Sequence, residues 1–318
     1  MNVPLDSLLG SKQPLVTVVM NCRNCEKYLA HALDSVVSQT FENWEIVFWD
    51  NQSTDKSASI FKSYNDERFR YFRAQHSSPL GQARNLAMEK ARGEFIAFLD
   101  CDDLWLPKKL EKQISLFSDP VVGIVICDTI FFNDKKDVRQ LYRRNKPPEG
   151  FVFSQLLGSY FISMETPVIR RSVLDGMDHW FDERFEVIEE YDFFVRLGRH
   201  WNLAYVDEVL AKWRIHESSW TWSRPELFPA ETRLFLDKLE HNIPNFSSIY
   251  SNEIRSVMLK IAVQEALIAW GEGRSRSMRE ILKPYVCASR IARLLSLLSY
   301  FLPFAAFDFL NRFRLGRL

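Results

Sequence analysis

An apolar run that ends in a cluster of acids is the part of this sequence with the clearest chemistry. Residues 95–99 are short and apolar enough for a strand covered on both faces, and Asp100, Asp102 and Asp103 follow them. Acids at the carboxyl end of a strand lie where open α/β sheets bind ligands, and oxygen ligands favour Mg²⁺ or Mn²⁺. The alternative is a polar helix start in which Asp102 or Asp103 caps the helix that Pro107 helps to begin. Three acids exceed what a cap requires, so the cluster predicts a cation site. Asp103 alone is assigned to the helix cap.

A second apolar run, residues 44–49, also ends in an acid, Asp50. Neither of the turns that follow these runs carries the glycine-rich dinucleotide fingerprint, and the chain contains no P-loop motif. A dinucleotide site and a P-loop site are therefore disfavoured. Phosphate would have to be held by a cation instead of by a glycine-rich loop.

Strand and helix patterns alternate along the first two thirds of the chain. Apolar runs predict strands at 15–20, 44–49, 69–72, 95–99, 121–127, 166–171 and 204–206. Helical spacing intervenes at 28–37, 56–64, 81–91, 107–117 and 189–197. This order predicts an α/β fold with a mixed, mostly parallel sheet flanked by helices. After Pro225 the patterns are helical only, at 226–241, 250–271, 276–287 and 288–313, so we predict a domain over 1–224 and a helical region over 225–318.

Composition excludes several classes of partner and compartment. Lys plus Arg and Asp plus Glu both number 41, so no overall charge favours nucleic acid. Five scattered cysteines fit a reducing compartment, and Cys22 and Cys25 form a C-x-x-C pair that could be a redox or metal motif but has no second pair. No signal peptide and no membrane-spanning run is recognised, so a cytoplasmic location is expected.

The last predicted helix combines apolar and basic residues. Residues 288–318 carry five arginines against one aspartate, a net charge of +4, among many Leu and Phe, and Pro303 should kink the helix. This composition is typical of a helix lying at a membrane interface. Docking on the catalytic domain or on a second subunit remains the alternative.

The order and spacing of these motifs resemble the family 2 glycosyltransferases with the GT-A fold. The resemblance is strongest over residues 14–105 and continues more thinly to about 220. It rests on residues 15–20, Asn24, Tyr28, Leu29 and 44–55, then on Gly81, 83–85, 91–94 and 98–105. Glu189 to Leu197 and Arg214 to His216 extend it.

The resemblance implies roles in donor binding for several residues. Asp50 would bind the nucleotide base, usually uracil, Asp100 would face the ribose, and Arg84 would lie by the base or the phosphates. Asn21, Arg23 and Cys101 would complete the nucleotide pocket, in which Asn21 stands where relatives have Pro and Arg23 where they have Tyr. Asp102 would bind the divalent cation, Mn²⁺ or Mg²⁺, and His216 would complete its ligands or stay structural.

The same resemblance places the general base at Glu190, where relatives usually have Asp, with Glu189 and Asp192 as acidic neighbours. These neighbours should raise the pKa of Glu190, whereas the helix N-terminus should lower it. Attack from the side opposite the leaving group implies inversion at the anomeric carbon. Trp213, Trp220 and Trp222 could stack on sugars or pack in a core.

The sequence therefore predicts an inverting, metal-dependent glycosyltransferase. The donor would be a UDP-sugar, and the acceptor a saccharide or lipid-linked hydroxyl in cell-surface polysaccharide or lipopolysaccharide synthesis. A sugar nucleotidyltransferase and a non-catalytic, transferase-like interaction module are the alternatives.

Overall fold

The computed structural model of the chain describes residues 14–216 and 224–314. Its strands are β1 (Val16–Cys22), β2 (Trp44–Asp50), β3 (Phe69–Arg73), β4 (Phe95–Phe98), β5 (Leu104–Trp105), β6 (Val122–Phe132), β7 (Asp137–Gln140), β8 (Val168–Arg170) and β9 (Asn202–Arg214). The helices that accompany the strands are α1 (Leu29–Val37), α2 (Ser57–Lys62), α3 (Leu80–Met88), α4 (Lys109–Ser115), α5 (Phe153–Gly158) and α6 (Glu189–Gly198). The later helices are α7 (Leu227–Asn242), α8 (Phe246–Ile249), α9 (Ser251–Gly271), α10 (Ser275–Leu282), α11 (Arg290–Phe301) and α12 (Phe304–Arg314).

The strands form one mixed sheet in the order β3-β2-β1-β4-β8-β6-β9-β5, and β7 pairs with β6. In the run β3-β2-β1-β4 each strand is parallel to the next, and β6 is parallel to β9. Strand β8 runs antiparallel to both β4 and β6, and β5 runs antiparallel to β9. The predicted mixed, mostly parallel sheet with flanking helices and a helical C-terminal extension is confirmed.

The core lies along the central strands of this sheet. Val18 on β1 stands opposite Ile46 on β2 and Ala97 on β4, and all three side chains are fully buried. Helices cover both faces of such strands, which explains why the sequence shows continuous apolar runs here instead of an alternating pattern.

A glycine determines how the chain enters β4. A Cβ atom at Gly93 would lie 2.5 Å from the amide nitrogen of Thr17 on β1, so no other residue fits without a shift of the backbone. The amide of Gly93 donates to the Thr17 hydroxyl at 2.9 Å. This close approach positions the start of β4, and with it the acids that follow the strand.

Three local predictions differ from the structure. Strand β9 spans Asn202–Arg214 instead of 204–206, because pairing with β6 on one side and β5 on the other sustains a strand whose middle is polar. The prediction that Asp103 caps a helix is wrong: α4 begins after Lys108 without a side-chain cap. The predicted kink at Pro303 is a full break, since α11 ends before an extended Leu302 and α12 follows it.

The described residues divide into two compact units. The first contains those up to Phe153 together with Phe161–Arg214, and the second contains Ser154–Tyr160 and those from Ile215 onwards. The second unit has a core of its own around Trp270, Met278 and Leu282. No helix among the described residues is both long and apolar enough to cross a bilayer. The predicted domain boundary at residue 224 stays a prediction.

Candidate functional site

The carboxyl ends of β1, β2 and β4 lie side by side at one edge of the sheet. Cys22 at the end of β1 is in register with Asp50 at the end of β2, and β4 leads within two residues to Asp100. The strand order reverses between β1 and β4, and such a switch point opens a crevice in which α/β sheets bind ligands. The sheet topology therefore brings together the two acidic strand ends that were separated in the sequence.

Asp50 is fully buried and held in one orientation. Its Oδ1 accepts the amide of Ser53 at 2.7 Å, and its Oδ2 accepts the hydroxyl of Tyr71 at 2.5 Å. Burial and the neighbouring Asp50 raise the pKa of Tyr71 to about 12, so the phenol keeps its proton and donates it. The predicted role of Asp50 in recognising a base stays a prediction.

Two loops form one wall of this edge and are joined to each other. The amides of Asn24 and Cys25 donate to the hydroxyls of Ser53 and Ser57 at 3.1 and 2.9 Å, and the Thr54 amide donates to the Asn24 side chain at 2.8 Å. The positive φ of Asn24, 59°, makes this tight turn. Asn24, a landmark of the resemblance, thus holds the two loops together.

The predicted nucleotide residues on β1 and after β4 differ in their surroundings. The side-chain nitrogen of Asn21, Nδ2, is buried and has no hydrogen-bond partner among the described residues, so it is an unused hydrogen-bond donor at this edge. Arg23 is exposed in the loop that follows. Cys101 is buried, and its thiol donates to the Asn21 carbonyl at 3.3 Å. Their roles in binding a nucleotide stay predictions.

Arg84 connects the acids after β4 with the start of α6. Its guanidinium is buried and lies 2.6 Å from Oε1 of Glu189 and 3.6 Å from Oδ1 of Asp100. Burial raises the pKa of Asp100, Arg84 lowers it and Asp102 raises it. One cation therefore holds together acids contributed by β4 and α6, and its side chain contacts carboxylates where the resemblance placed a base or phosphates.

Glu190 follows directly in α6 and is half-buried. Burial raises its pKa to about 8, against the opposing effect of Arg84, with further increases from Glu189, Asp100 and Glu165. Desolvation and like charges thus outweigh the positive charge of Arg84, and the direction of the pKa shift could not be decided from the sequence alone. A carboxylate with a pKa near neutral pH is suited to accept a proton.

Asp192 occupies a different environment on the same helix. It is fully buried and paired with Arg196, whose Nη2 lies 2.7 Å from its Oδ2. A carboxylate oxygen of Asp192 also lies within 4.8 Å of ligand atoms of His179 and Asp182. Of the two neighbours expected to raise the pKa of Glu190, Glu189 does so, whereas the other increases come from Asp100 and Glu165 and not from Asp192. These contacts favour a structural role for Asp192, and its catalytic role stays a prediction.

Glu165 is a member of this acidic group that the sequence analysis did not identify. It is fully buried just before β8, and its carboxylate accepts the Ser163 hydroxyl at 2.7 Å. Burial raises its pKa, and its charge in turn raises the pKa of Glu190 and Asp103. An acid just before an apolar strand, two residues ahead of Pro167, was the only signal in the sequence.

Arg214, at the end of β9, fastens the segment that carries Asp102 and Asp103. Its amide donates to Oδ1 of Asp103 at 2.7 Å, and its Nε donates to the backbone carbonyl of Asp102 at 2.8 Å. Its Nη1 also pairs with Asp134 at 2.7 Å. The resemblance included Arg214 only as a landmark, and the structure gives it a positioning role.

Asp102 is half-buried and supplies a hard carboxylate donor beside Asp100. This donor set fits Mg²⁺ or Mn²⁺, which typically take one or two carboxylates and leave further positions for phosphate oxygens and water. His216, also half-buried, lies two residues beyond β9 in the second unit, and its role as a ligand stays a prediction.

Of the three tryptophans that could stack on a sugar, only Trp213 lies within the described residues. Its ring packs edge-on against Phe131 with the ring centroids 5.0 Å apart, which favours a packing role. Trp220 and Trp222 lie outside the described residues.

Replacing Arg84 with Gln is expected to lower the free energy of unfolding by roughly 3–5 kcal/mol, because Glu189 would keep a buried charge without this cation. Adding Glu189→Gln should recover much of the loss. Urea unfolding of the two single variants and the double variant measures this coupling. Lys146→Gln, which breaks the exposed pair with Asp207, is the control and should change little. Additive losses for Arg84 and Glu189 would contradict the coupling.

A comparison with protein families gives one match that covers about half of the chain. The model described as Glycosyl transferase family 2 matches residues 17–178. Among curated relatives, the chain is 27% identical over 207 residues to an Escherichia coli protein, UDP-Glc:alpha-D-GlcNAc-diphosphoundecaprenol beta-1,3-glucosyltransferase WfgD. This alignment covers 64% of the chain and 79% of the relative.

Two solved structures share the fold over nearly the whole chain. The fragment 1-349 of S. aureus TarS in complex with UDP-GlcNAc has a TM-score of 0.62 at 19% identity, covering 95% of this chain and 92% of that fragment. The mannosyltransferase PcManGT from Pyrobaculum calidifontis, in complex with GDP-Man and Mn²⁺, has a TM-score of 0.61 at 16% identity. That alignment covers 96% of this chain and 86% of PcManGT. At these identities the likeness shows the fold alone.

Proposed function

Because the chain belongs to glycosyl transferase family 2 and is a transferase enzyme, we propose that it moves a sugar from a UDP-sugar to a hydroxyl group with inversion at the anomeric carbon. The acceptor would be a saccharide or a lipid-linked saccharide in the synthesis of a cell-surface polysaccharide or lipopolysaccharide. Family membership favours this function over a sugar nucleotidyltransferase and over a non-catalytic interaction module.

The observation that carries the proposal is the pair of contacts made by Arg84. The guanidinium contacts Asp100, beside the proposed donor residues, and Glu189, next to the proposed base Glu190. A glycosyltransferase of this kind needs donor binding and a proton acceptor in one cleft. The effect of Asp100 on the pKa of Glu190 supports the same proximity.

The donor side of the proposal rests on the residues at the ends of β1, β2 and β4. Asp50 would accept an N–H of the base, Asn21 would donate its unused amide hydrogen, and Asp100 would accept a ribose hydroxyl. Arg23 and Cys101 would line the same pocket. Asp102 would hold a divalent cation, which when bound neutralises the diphosphate as a Lewis acid.

On the acceptor side, Glu190 would take the proton of the attacking hydroxyl. Its pKa of about 8 lets it accept a proton near neutral pH, and Glu189, held by Arg84, would orient the start of α6. Attack from the face opposite the departing diphosphate inverts the anomeric carbon. His216 is proposed as a further ligand of the cation.

Calorimetry with UDP in the presence and absence of Mn²⁺ tests the donor assignment. Binding is expected to depend on Mn²⁺ and to weaken about tenfold or more in Asp50→Asn, since one good polar contact to a base accounts for about 1–3 kcal/mol. Tyr71→Phe is the matched control, because it removes the neighbouring hydroxyl and leaves the carboxylate. Equal UDP affinity in Asp50→Asn would move base recognition elsewhere, and GDP binding more tightly than UDP would replace the proposed donor.

We also propose that the protein works in the cytoplasm on the inner face of the cell membrane, which it contacts through residues 288–314. Five large apolar side chains on α11 are exposed: Ile291, Leu294, Leu297, Tyr300 and Phe301. Arginines at 290 and 293 are exposed near them, as in helices that lie at an anionic interface. A lipid-linked acceptor, such as the one in the name of WfgD, would be reached at that surface.

Sedimentation with vesicles that contain anionic lipid tests this contact. The protein is expected to bind such vesicles and to lose binding in the Leu294→Glu, Leu297→Glu double variant, which adds charge to the exposed face. Arg233→Gln, on α7 and outside residues 288–314, is a control that shows whether a lower net positive charge alone weakens binding to the vesicles. Retention of binding in the double variant would refute the contact, and dimerisation that the same variant abolishes would assign the face to a second copy instead.

A further inference from the structure

Three cysteine thiols meet beneath the candidate site, although only two of them form a motif in the sequence. Cys22 is the last residue of β1, Cys25 lies three residues later in the loop before α1, and Cys101 comes from the turn after β4. Their Sγ atoms all lie within 4.8 Å of one another. The pairing of β1 with β4 is what adds the third thiol to the C-x-x-C pair.

We propose that Cys22, Cys25 and Cys101 form a binding site for a thiophilic metal ion such as Zn²⁺, separate from the cation site at Asp102. Three thiolates occur in tetrahedral zinc sites, in which a fourth ligand such as water would complete the coordination here. With Zn–S distances of about 2.3 Å, tetrahedral geometry places the sulfurs about 3.8 Å apart, so the observed cluster needs to contract by no more than about 1 Å. Soft sulfur ligands do not suit Mg²⁺, so the two sites would select different ions.

Contacts around the thiols hold the three cysteines in place. The thiol of Cys22 lies 3.6 Å from the Ser53 hydroxyl, and the amide of Cys25 donates to the Ser57 hydroxyl at 2.9 Å. Cys22 and Cys101 are 1% and 3% exposed, whereas Cys25 is half-buried at the rim. Hydrogen-bonded surroundings of this kind orient the ligands of protein metal sites.

The position of this site connects it to the strand ends that carry the proposed donor residues. Cys22 is in register with Asp50, and Cys101 lies between Asp100 and Asp102 in the chain. A bound ion would therefore join the ends of β1 and β4. The positions of the three thiols would hold such an ion whether or not the protein transfers a sugar.

Titration of the reduced, full-length protein with Co²⁺ and then Zn²⁺ tests the site. One equivalent of Co²⁺ is expected to give thiolate-to-cobalt charge-transfer absorption, which Zn²⁺ abolishes and millimolar Mg²⁺ does not. Zn²⁺ should also raise the melting temperature. Both signals should disappear in Cys25→Ser, a mild change at the rim of the cluster, and in Cys22→Ser.

Two control variants separate this site from the rest of the protein. Cys287→Ser removes an exposed thiol outside the cluster and should keep the full signal, as should Asp102→Asn. Displacement of Co²⁺ by Mg²⁺, or loss of the signal in Asp102→Asn, would place the ion on the carboxylates and overturn the proposal. The proposal would also be overturned if the reduced protein bound no Co²⁺ and its count of free thiols fell by two on exposure to air. Two of the cysteines would then form a disulfide instead of a metal site.

Discussion

Replacing Asp102 with Asn is expected to lower the rate of sugar transfer by about 10³-fold or more. The exchange keeps the size of the side chain and removes the negative charge that the proposed cation needs. Loss of several kcal/mol of charge stabilisation in the transition state corresponds to this factor. Steady-state rates at saturating donor in Mn²⁺ measure the effect. Calorimetry should show that the variant binds UDP more weakly than the unsubstituted protein when Mn²⁺ is present, and equally well when it is absent.

The control for this substitution is Asp178→Asn, which removes an exposed carboxylate elsewhere in the same unit. It should transfer sugar at the normal rate. The contact between the Asp102 carbonyl and Arg214 involves the backbone, so Asp102→Asn should leave the turn folded, with an unchanged melting temperature in the absence of Mn²⁺. Normal turnover by Asp102→Asn would refute the assignment of the cation to this residue.

Glu190→Gln is expected to lower kcat by about 10²–10⁴-fold while UDP binding in Mn²⁺ stays unchanged. The glutamine has the shape of the glutamate but cannot take a proton from the acceptor, and a positioned general base contributes a factor of this size. Glu190→Asp keeps the carboxylate and withdraws it by one methylene, so it should retain more activity than Glu190→Gln. Loss of both transfer and UDP binding in Glu190→Gln would move the base to another residue.

The pH dependence of kcat/KM gives a second test of the same residue. Burial raises the pKa of Glu190 to about 8, so below that pH the carboxyl group is mostly protonated and cannot act as a base. The rate should therefore rise with pH, about tenfold per unit, and level off near pH 8, or somewhat lower once a cation adds positive charge nearby. In Glu190→Gln this rising limb of the pH–rate profile should disappear. An unchanged limb in the variant would assign the titration to another group, such as Glu165.

The sequence by itself determined the class of fold and most of its elements. The apolar runs of β1, β2 and β4 and the helical spacing of α1 and α9 were readable because burial on one or both faces imposes a local pattern. The acids at the strand ends were readable for a related reason, whereas those at the start of α6 were assigned through the family resemblance. Charged residues directly after an apolar strand have few structural explanations.

Only the tertiary structure decided which distant groups share the cleft. Arg84 and Glu189 are 105 positions apart, and Asp103 and Arg214 are 111 positions apart. The third thiol of the cluster, Cys101, comes from a different strand end than Cys22, and Glu165 carries no motif at all. Local periodicity reports which face of an element is buried, but not the element that covers it. Those partners follow from the order in which the strands pair, and that order is a property of the whole sheet.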